Sequence, residues 1–189
     1  MLVKTKVAII LAGGLGKRLR SVVSNVPKPM APINNKPFLE ILMDFWINQG
    51  IEKFLISVGY LKESIINHFG KKYKNIPIEY IHETSPLGTG GALKKVINDI
   101  ENICTPFLVL NGDTFFEINL NEFENFHQSK NADFSFALFK TENNPRYLQF
   151  ITNQNYKIIS LKKNDTSVDV LSNGGVYLVS DTRFITNYK

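Results

Sequence analysis

Residues 7–20 read Val7-Ala8-Ile9-Ile10-Leu11-Ala12-Gly13-Gly14-Leu15-Gly16-Lys17-Arg18-Leu19-Arg20. The first five residues form an apolar run with the length of a strand buried on both faces in a parallel sheet. Gly13, Gly14 and Gly16 then strip the strand exit of side chains, so the backbone can bend sharply and bring its N–H groups close to a bound anion. Lys17, Arg18, Arg20 and, further on, Lys28 add four cations to the same region. A strand that opens into a bare, donor-rich, cationic loop suits a polyphosphate.

The spacing excludes two other phosphate loops. The P-loop needs glycine, four residues, then Gly-Lys-Ser/Thr; here Arg18 follows Gly16-Lys17, and Leu11 stands five positions before Gly16. The dinucleotide fingerprint needs Gly-x-Gly-x-x-Gly, and Gly14-x-Gly16-x-x ends on Leu19. A plain glycine turn with solvated basic residues would look similar in isolation. The Lys28-Pro29 extension and the segments downstream weigh against it.

Working outward, the chain alternates strand and helix signals. A helix is expected from Pro37 through Gln49, with Phe38, Ile41, Leu42, Phe45 and Trp46 on its apolar face and Gly50 as its stop. Strands are expected over 54–58, 78–81 and 107–110, with a short helix over 61–69 between the first two. The glycine-rich run Pro86-Leu87-Gly88-Thr89-Gly90-Gly91 reads as a loop leading into a helix from Ala92 to about Ile100. This β-α-β-α order predicts an α/β fold, with a mostly parallel sheet covered on both faces. Beyond it, a helix over 121–128 and strands over 134–139, 148–151, 157–161 and 176–179 predict an antiparallel extension, and a last helix is expected near Asp181. The 189 residues fit a single domain with a proper core.

Composition narrows the function. Lys and Arg number 22 against 17 Asp and Glu, a net charge of +5 that fits a phosphorylated ligand. No run of five like charges and no basic stripe with interleaved aromatics appears, which disfavours nucleic acid. The sole cysteine, Cys104, cannot form an internal disulfide and is expected to be a packed or half-buried thiol and not a nucleophile. The start of the chain lacks a signal-peptide core and no apolar run has the length of a membrane span, so a cytoplasmic protein with no membrane partner is the expectation. His68, His82 and His127 lack metal-ligand spacing and read as structural.

In an open α/β sheet, ligands gather at the carboxyl ends of the strands. Three candidate segments fall there: the loop after the first strand, the glycine-rich run 86–91, and Asn111-Gly112-Asp113. Asp113 alone reads as a cap or turn residue; beside a triphosphate it can hold Mg²⁺, which takes one or two carboxylates and fills its shell with phosphate and water. Glu83, Pro86, Gly88 and Thr89 could form a wall against a nucleobase, the alternative being a helix-entry turn with Thr89 as N-cap.

Together these segments resemble the sugar-1-phosphate nucleotidyltransferases, the sugar nucleotide pyrophosphorylases. The resemblance is carried by residues 11–19, Pro27-Lys28-Pro29-Met30, 86–92, Leu110-Asn111-Gly112-Asp113 and Asn173-Gly174-Gly175-Val176-Tyr177. Residues 27–33 and 111–116 look most like the D-glycero-D-manno-heptose 1-phosphate guanylyltransferase group. The resemblance implies a Rossmann-like three-layer fold and the reaction of an NTP with a sugar 1-phosphate to give an NDP-sugar and pyrophosphate. It implies that Leu11, Ala12, Gly13, Gly14, Gly16 and Lys17 hold the nucleotide together with Glu83, Pro86, Gly88 and Thr89. Arg18 would neutralise the departing pyrophosphate, Lys28 would bridge the attacked phosphorus and the sugar phosphate, and Asp113 would hold Mg²⁺. Asn111, Gly112, Arg146, Tyr147, Lys162, Lys163, Asn173 and Gly174 would contact the sugar phosphate. Guanine is the favoured base, with Glu83 accepting from its N1–H and N2–H.

The chain departs from the family's usual pattern in places. Lys17 stands where threonine is usual, Arg146-Tyr147-Leu148 replaces Arg-Tyr-Gly, and Lys162-Lys163 or Lys163-Asn164 replaces Glu-Lys. No segment resembling Asp-Ile-Gly, with its second metal-binding aspartate, follows Gly175; Asp181 reads as a helix cap and Asp169 has the wrong spacing. The expectations are a single domain lacking the family's C-terminal segment, weak turnover by this chain, and self-association into a homo-oligomer through apolar surface that segment would cover. Two alternatives stay open: a non-catalytic nucleotide-sugar-binding or regulatory module, and a cytidylyltransferase for a small phosphorylated alcohol.

Overall fold

The computed structural model describes residues 4–14, 26–100, 103–141, 149–162 and 170–186. Its strands are β1 (Val7–Leu11), β2 (Pro32–Ile33), β3 (Lys36–Pro37), β4 (Lys53–Val58), β5 (Lys72–Tyr73), β6 (Ile76–His82), β7 (Phe107–Asn111), β8 (Phe134–Thr141), β9 (Gln149–Thr152), β10 (Ile158–Lys162) and β11 (Val170–Val179). Its helices are α1 (Phe38–Ile47), α2 (Lys62–Phe69), α3 (Gly88–Asp99), α4 (Leu120–Ser129) and α5 (Arg183–Thr186). A 3-10 turn over Lys28–Met30 precedes the small β2–β3 hairpin.

β1 lies at the centre of the main sheet, whose order is β10-β9-β11-β7-β1-β4-β6-β5, with β8 on the far side of β11. It runs parallel to both neighbours, β4 and β7, and β6 continues the parallel set beyond β4. β11 is antiparallel to β7, β8 and β9, so the expected antiparallel extension grows from the β7 edge.

The alternation of side chains along β1 builds the layers. Ala8 and Ile10 join Phe54, Ile56, Leu108 and Leu110 in a core covered by α1, α2 and α4. Val7 and Ile9 join Leu55, Phe107 and Val109 in a second core under Leu93 and Val96 of α3, with Ile185 of α5 at its margin. Because both faces are covered, the strands read as continuous apolar runs rather than alternating ones. The result is the mostly parallel α/β sheet covered on both faces that the order of elements predicts, in the three-layer, Rossmann-like form that the resemblance implies.

Four local expectations are corrected. The buried face of α1 is Leu39, Leu42, Met43 and Trp46, with Phe38 and Phe45 packed beside it. Almost every position of this helix is apolar, so its period alone does not fix the face. The polar side is fixed by Glu40 on His68 (2.6 Å) and Asp44 on Lys74 (2.7 Å). α3 begins at Gly88 instead of Ala92, so the glycine-rich run is the first turn of a helix, and Leu87, not Thr89, is its N-cap. β11 is ten residues long, starting at Val170 and taking in the Gly174-Gly175 pair, where the expected strand starts at 176. Its pairing with β8 shifts between Asn173 and Tyr177, and Gly175 takes φ +76° there; a bulge of this kind needs a residue free to adopt positive φ. Cys104, expected to be packed or half-buried, is exposed.

Candidate active site

The parallel strands β1, β4, β6 and β7 deliver Ala12, Gly59, Glu83 and Gly112-Asp113 to one edge of the sheet, as the fold rule requires. A cavity of about 280 Å³ opens there. It brings together Leu11, Ala12, Gly13, Gly14, Lys28, Glu83, Pro86, Gly88, Thr89, Asn111, Gly112 and Asp113, with Pro29, Leu87 and Ala92 completing the wall. Residues far apart in sequence thus converge on one space. Gly16, Lys17, Arg18, Arg146, Tyr147 and Lys163 lie outside the described residues, and Lys162 closes β10.

The loop after β1 is tied down by its neighbours. Ala12 N–H donates to the Ser57 carbonyl (2.9 Å), and Gly112 N–H donates to the Leu11 carbonyl (3.0 Å). Gly13 then passes directly under the Glu83 carboxylate. A Cβ at Gly13 would sit 2.1 Å from Glu83 Oε1, so a larger residue there would have to displace the Glu83 carboxylate or the loop. Glu83 itself is braced on both oxygens: Ser57 Oγ–H donates to Oε1 at 2.7 Å, and the Leu87 backbone N–H donates to Oε2 at 3.4 Å. The carboxylate therefore links the β1 exit, the end of β4 and the entry of α3. No side chain caps α3, so its first-turn N–H groups have no partner within the helix, and Gly88 and Thr89 of that turn line the cavity.

On the opposite wall, Lys28 starts the 3-10 turn, anchored by buried Met30. Its Nζ lies 3.1 Å from Asp113 Oδ2, and Thr114 Oγ1 lies 3.3 Å from Asp113 Oδ1. Both partners remain open to the cavity, the side chains being 29% and 45% exposed. The pair combines a mobile cation for phosphate with a hard carboxylate for a divalent ion. Among the described residues no group of three or more His, Cys, Asp or Glu side chains could cage a metal. A carboxylate open to the cavity such as Asp113 fits an ion that takes one or two carboxylates and draws its other ligands from phosphate and water, as Mg²⁺ does.

Asn111, Asn173 and Tyr177 form a polar link across β7 and β11. Asn173 Nδ2 donates to Tyr177 Oη (2.7 Å), and Asn173 Oδ1 accepts from Gly175 N–H (2.8 Å). Burial pushes the Tyr177 hydroxyl pKa up from its ordinary range, opposed by hydrogen bonds to Asn173 and Asn111, so the phenol stays neutral and can act as a donor. Gly174 is buried: a Cβ there would meet the Phe116 ring at 2.8 Å. Sequence reading missed Ser57, Leu87 and Tyr177. The signal for Ser57 was present, as a lone polar residue in the apolar run 54–58. Leu87 acts through its backbone and leaves no side-chain signal.

Residues 7–178 match the nucleotidyl transferase family. The D-glycero-alpha-D-manno-heptose 1-phosphate guanylyltransferase of Aneurinibacillus thermoaerophilus is 44% identical over 179 residues, 94% of this chain and 76% of that protein. Its namesake from Campylobacter jejuni subsp. jejuni is 40% identical over 177 residues, 94% of this chain and 77% of that one. The crystal structure of HddC from Yersinia pseudotuberculosis superimposes with a TM-score of 0.82 at 33% identity, covering 97% of this chain and 80% of that chain. HddC has also been solved in complex with GMP-PN. With the sheet, the glycine-rich exit of β1 and the Lys28–Asp113 pair lying inside the matched span, the chain belongs to the nucleotidyl transferase family.

Proposed function

We propose that this chain transfers GMP from GTP to a heptose 1-phosphate, releasing pyrophosphate and forming a GDP-sugar. The observation that carries the reaction is the convergence of the bare β1 exit, the Lys28–Asp113 pair and braced Glu83 on one cavity. The identity to two heptose 1-phosphate guanylyltransferases supports the substrate pair, and the GMP-PN complex of HddC supports guanine nucleotide binding.

The chemistry needs no protein nucleophile. A sugar phosphate oxygen attacks the α-phosphorus of GTP, the bond to the β-phosphate oxygen breaks, and pyrophosphate leaves. What the protein must supply is alignment of the two anions and relief of their repulsion. Gly13 and Gly14 offer backbone donors to the triphosphate, with Gly16, Lys17 and Arg18 assigned to the same task. Lys28 turns from Asp113 to the attacked phosphate and stabilises the charge that builds there. Asp113 would hold Mg²⁺, which neutralises phosphate charge when bound. Glu83 offers two acceptors to the N1–H and N2–H of guanine, while a pyrimidine leaves the carboxylate poorly matched at a cost of roughly 1–3 kcal/mol. Asn111, Gly112, Asn173 and Gly174, with Arg146, Tyr147, Lys162 and Lys163, are assigned to the sugar phosphate side.

A pyrophosphate-release assay across GTP, ATP, CTP and dTTP, each paired with heptose, mannose and glucose 1-phosphates, tests the reading. GTP with heptose 1-phosphate should be fastest. Faster release from CTP or dTTP would overturn the base assignment. Binding of GTP with no release from any pair would leave a nucleotide-binding module.

A further inference from the structure

The polar residue least explained by the reaction is Ser57. It sits in β4 among Phe54, Leu55, Ile56 and Val58 and is 0% exposed. A hydroxyl in such a place costs stability unless it is bonded, and an alanine would fill the strand without that cost. Its partner is Glu83 Oε1, at 2.7 Å. Its carbonyl meanwhile accepts from Ala12 N–H at 2.9 Å. Register places it directly between Leu11 of β1 and Ile81 of β6, so one residue touches both the phosphate loop and the strand that carries Glu83.

We propose that Ser57 is a positioning residue for base selection: its hydroxyl fixes the rotation of the Glu83 carboxylate so that the lone pairs left over meet the two donors of guanine. A carboxylate has about four acceptor directions. Ser57 and Leu87 N–H each occupy one, on different oxygens. That leaves one on each oxygen of a group that lines the cavity. Guanine's N1–H and N2–H are two adjacent donors and match this pair, whereas adenine presents an acceptor at N1. The terminal torsion of a glutamate is broad and roughly two-fold, so the brace must come from outside the side chain. The Leu87 contact is long at 3.4 Å, which makes Ser57 the principal constraint. Loss of the hydroxyl leaves the charge of Glu83 in place and removes its orientation.

This inference rests on the guanine reading of Glu83, and the test separates the two. Equilibrium binding of GTP and ITP, which lacks the N2 amino group, is measured on the parent, Ser57→Ala, Ser57→Cys, Glu83→Gln and the double variant Ser57→Ala/Glu83→Gln. Inorganic tripolyphosphate serves as the probe of the phosphate loop. The parent should prefer GTP over ITP by roughly tenfold, the scale of one well-formed hydrogen bond. Ser57→Ala should cut that ratio by about fivefold and Ser57→Cys by less, with tripolyphosphate affinity unchanged, because the Ser57 carbonyl remains. In the Glu83→Gln background, Ser57→Ala should change the ratio by less than about twofold, since the two residues act as one unit. A parent without GTP preference removes the guanine reading and this inference with it. A preference lost in Glu83→Gln but intact in Ser57→Ala leaves the guanine reading standing and overturns the role of Ser57. Equal weakening of tripolyphosphate and GTP by Ser57→Ala also overturns it, because that is the signature of a general packing defect.

Discussion

Lys28 and Asp113 neutralise one another across 3.1 Å at the cavity wall. An exposed pair of this kind contributes little to stability, so its value is in what each partner can do when the other lets go. Lys28 carries a flexible stem from the Pro29-Met30 turn, so in the proposed reaction its ammonium would follow charge as it moves onto the attacked phosphate. Its contribution should then be larger in the transition state than in the nucleotide complex. Lys28→Ala is expected to lower kcat by about 10²–10³ and to weaken GTP binding by less than about fivefold. Pyrophosphate release and equilibrium titration of GTP measure the two separately, and equal losses in both would assign Lys28 to ground-state binding. Gly13 makes the complementary steric argument. A Cβ there would lie 2.1 Å from Glu83 Oε1, so Gly13→Ala must displace either the loop or the carboxylate. It should weaken GTP and tripolyphosphate together, unlike Ser57→Ala, and binding of the two probes to the variant decides the point.

β11 shows how an element can be built around a position that sequence patterns misread. Gly175 takes φ +76°, and a Cβ there would approach Asn111 Nδ2 to 2.8 Å. Gly175→Ala is therefore expected to cost about 1–3 kcal/mol, measured as a lower urea midpoint, because it combines a left-handed backbone with a contact on Asn111. An unchanged midpoint would mean the bulge relaxes freely. In sequence, Gly174-Gly175 looks like a turn because glycine is scarce inside regular strands, and the pairing that keeps β11 continuous comes from β7 and β8, which lie far away in the chain. The same effect hid the first turn of α3: each glycine costs a helix about 1 kcal/mol relative to alanine, and the packing of Ala92, Leu93 and Val96 outweighs it. The parallel centre was legible for the opposite reason. β1, β4 and β7 are buried on both faces, so β1 prints a continuous apolar run, β7 one that ends only at Asn111, and β4 one interrupted only by Ser57. The two-residue strands β2, β3 and β5 are too short to carry any period. The lining of the cavity was legible where motifs are contiguous, at residues 11–14, 28, 86–89 and 111–113, with Glu83 just ahead of one of them. The site was illegible where a contact depends on register, as with Ser57 beside Leu11.

The parallel half and the antiparallel half share β7 and β11, and His127 is one of the ties that hold the second half together. It lies on α4, is 3% exposed, and places one ring nitrogen 2.8 Å from Ser135 Oγ of β8 and the other 2.7 Å from Ser180 Oγ just past β11. Burial lowers its pKa below the ordinary 6.5, and the charge of Asp133 opposes that shift without reversing it. The unfolded chain therefore takes up a proton before the folded one does as pH falls. The stability contributed by neutral His127 is complete above about pH 6.5 and declines as pH drops below that value. One such group accounts for at most about 1.4 kcal/mol per pH unit. Thermal unfolding followed from pH 7.5 to 5.5 should show the parent losing stability across this window. His127→Gln, which keeps a donor and an acceptor but cannot be protonated, should start lower at pH 7.5 and lose less on acidification. The difference between the two curves isolates the histidine from the carboxylates that titrate further down. Parallel curves would mean that His127 keeps its ordinary pKa in the folded chain, so that its bonds to Ser135 and Ser180 tie α4 to β8 and the end of β11 without making that junction sensitive to pH.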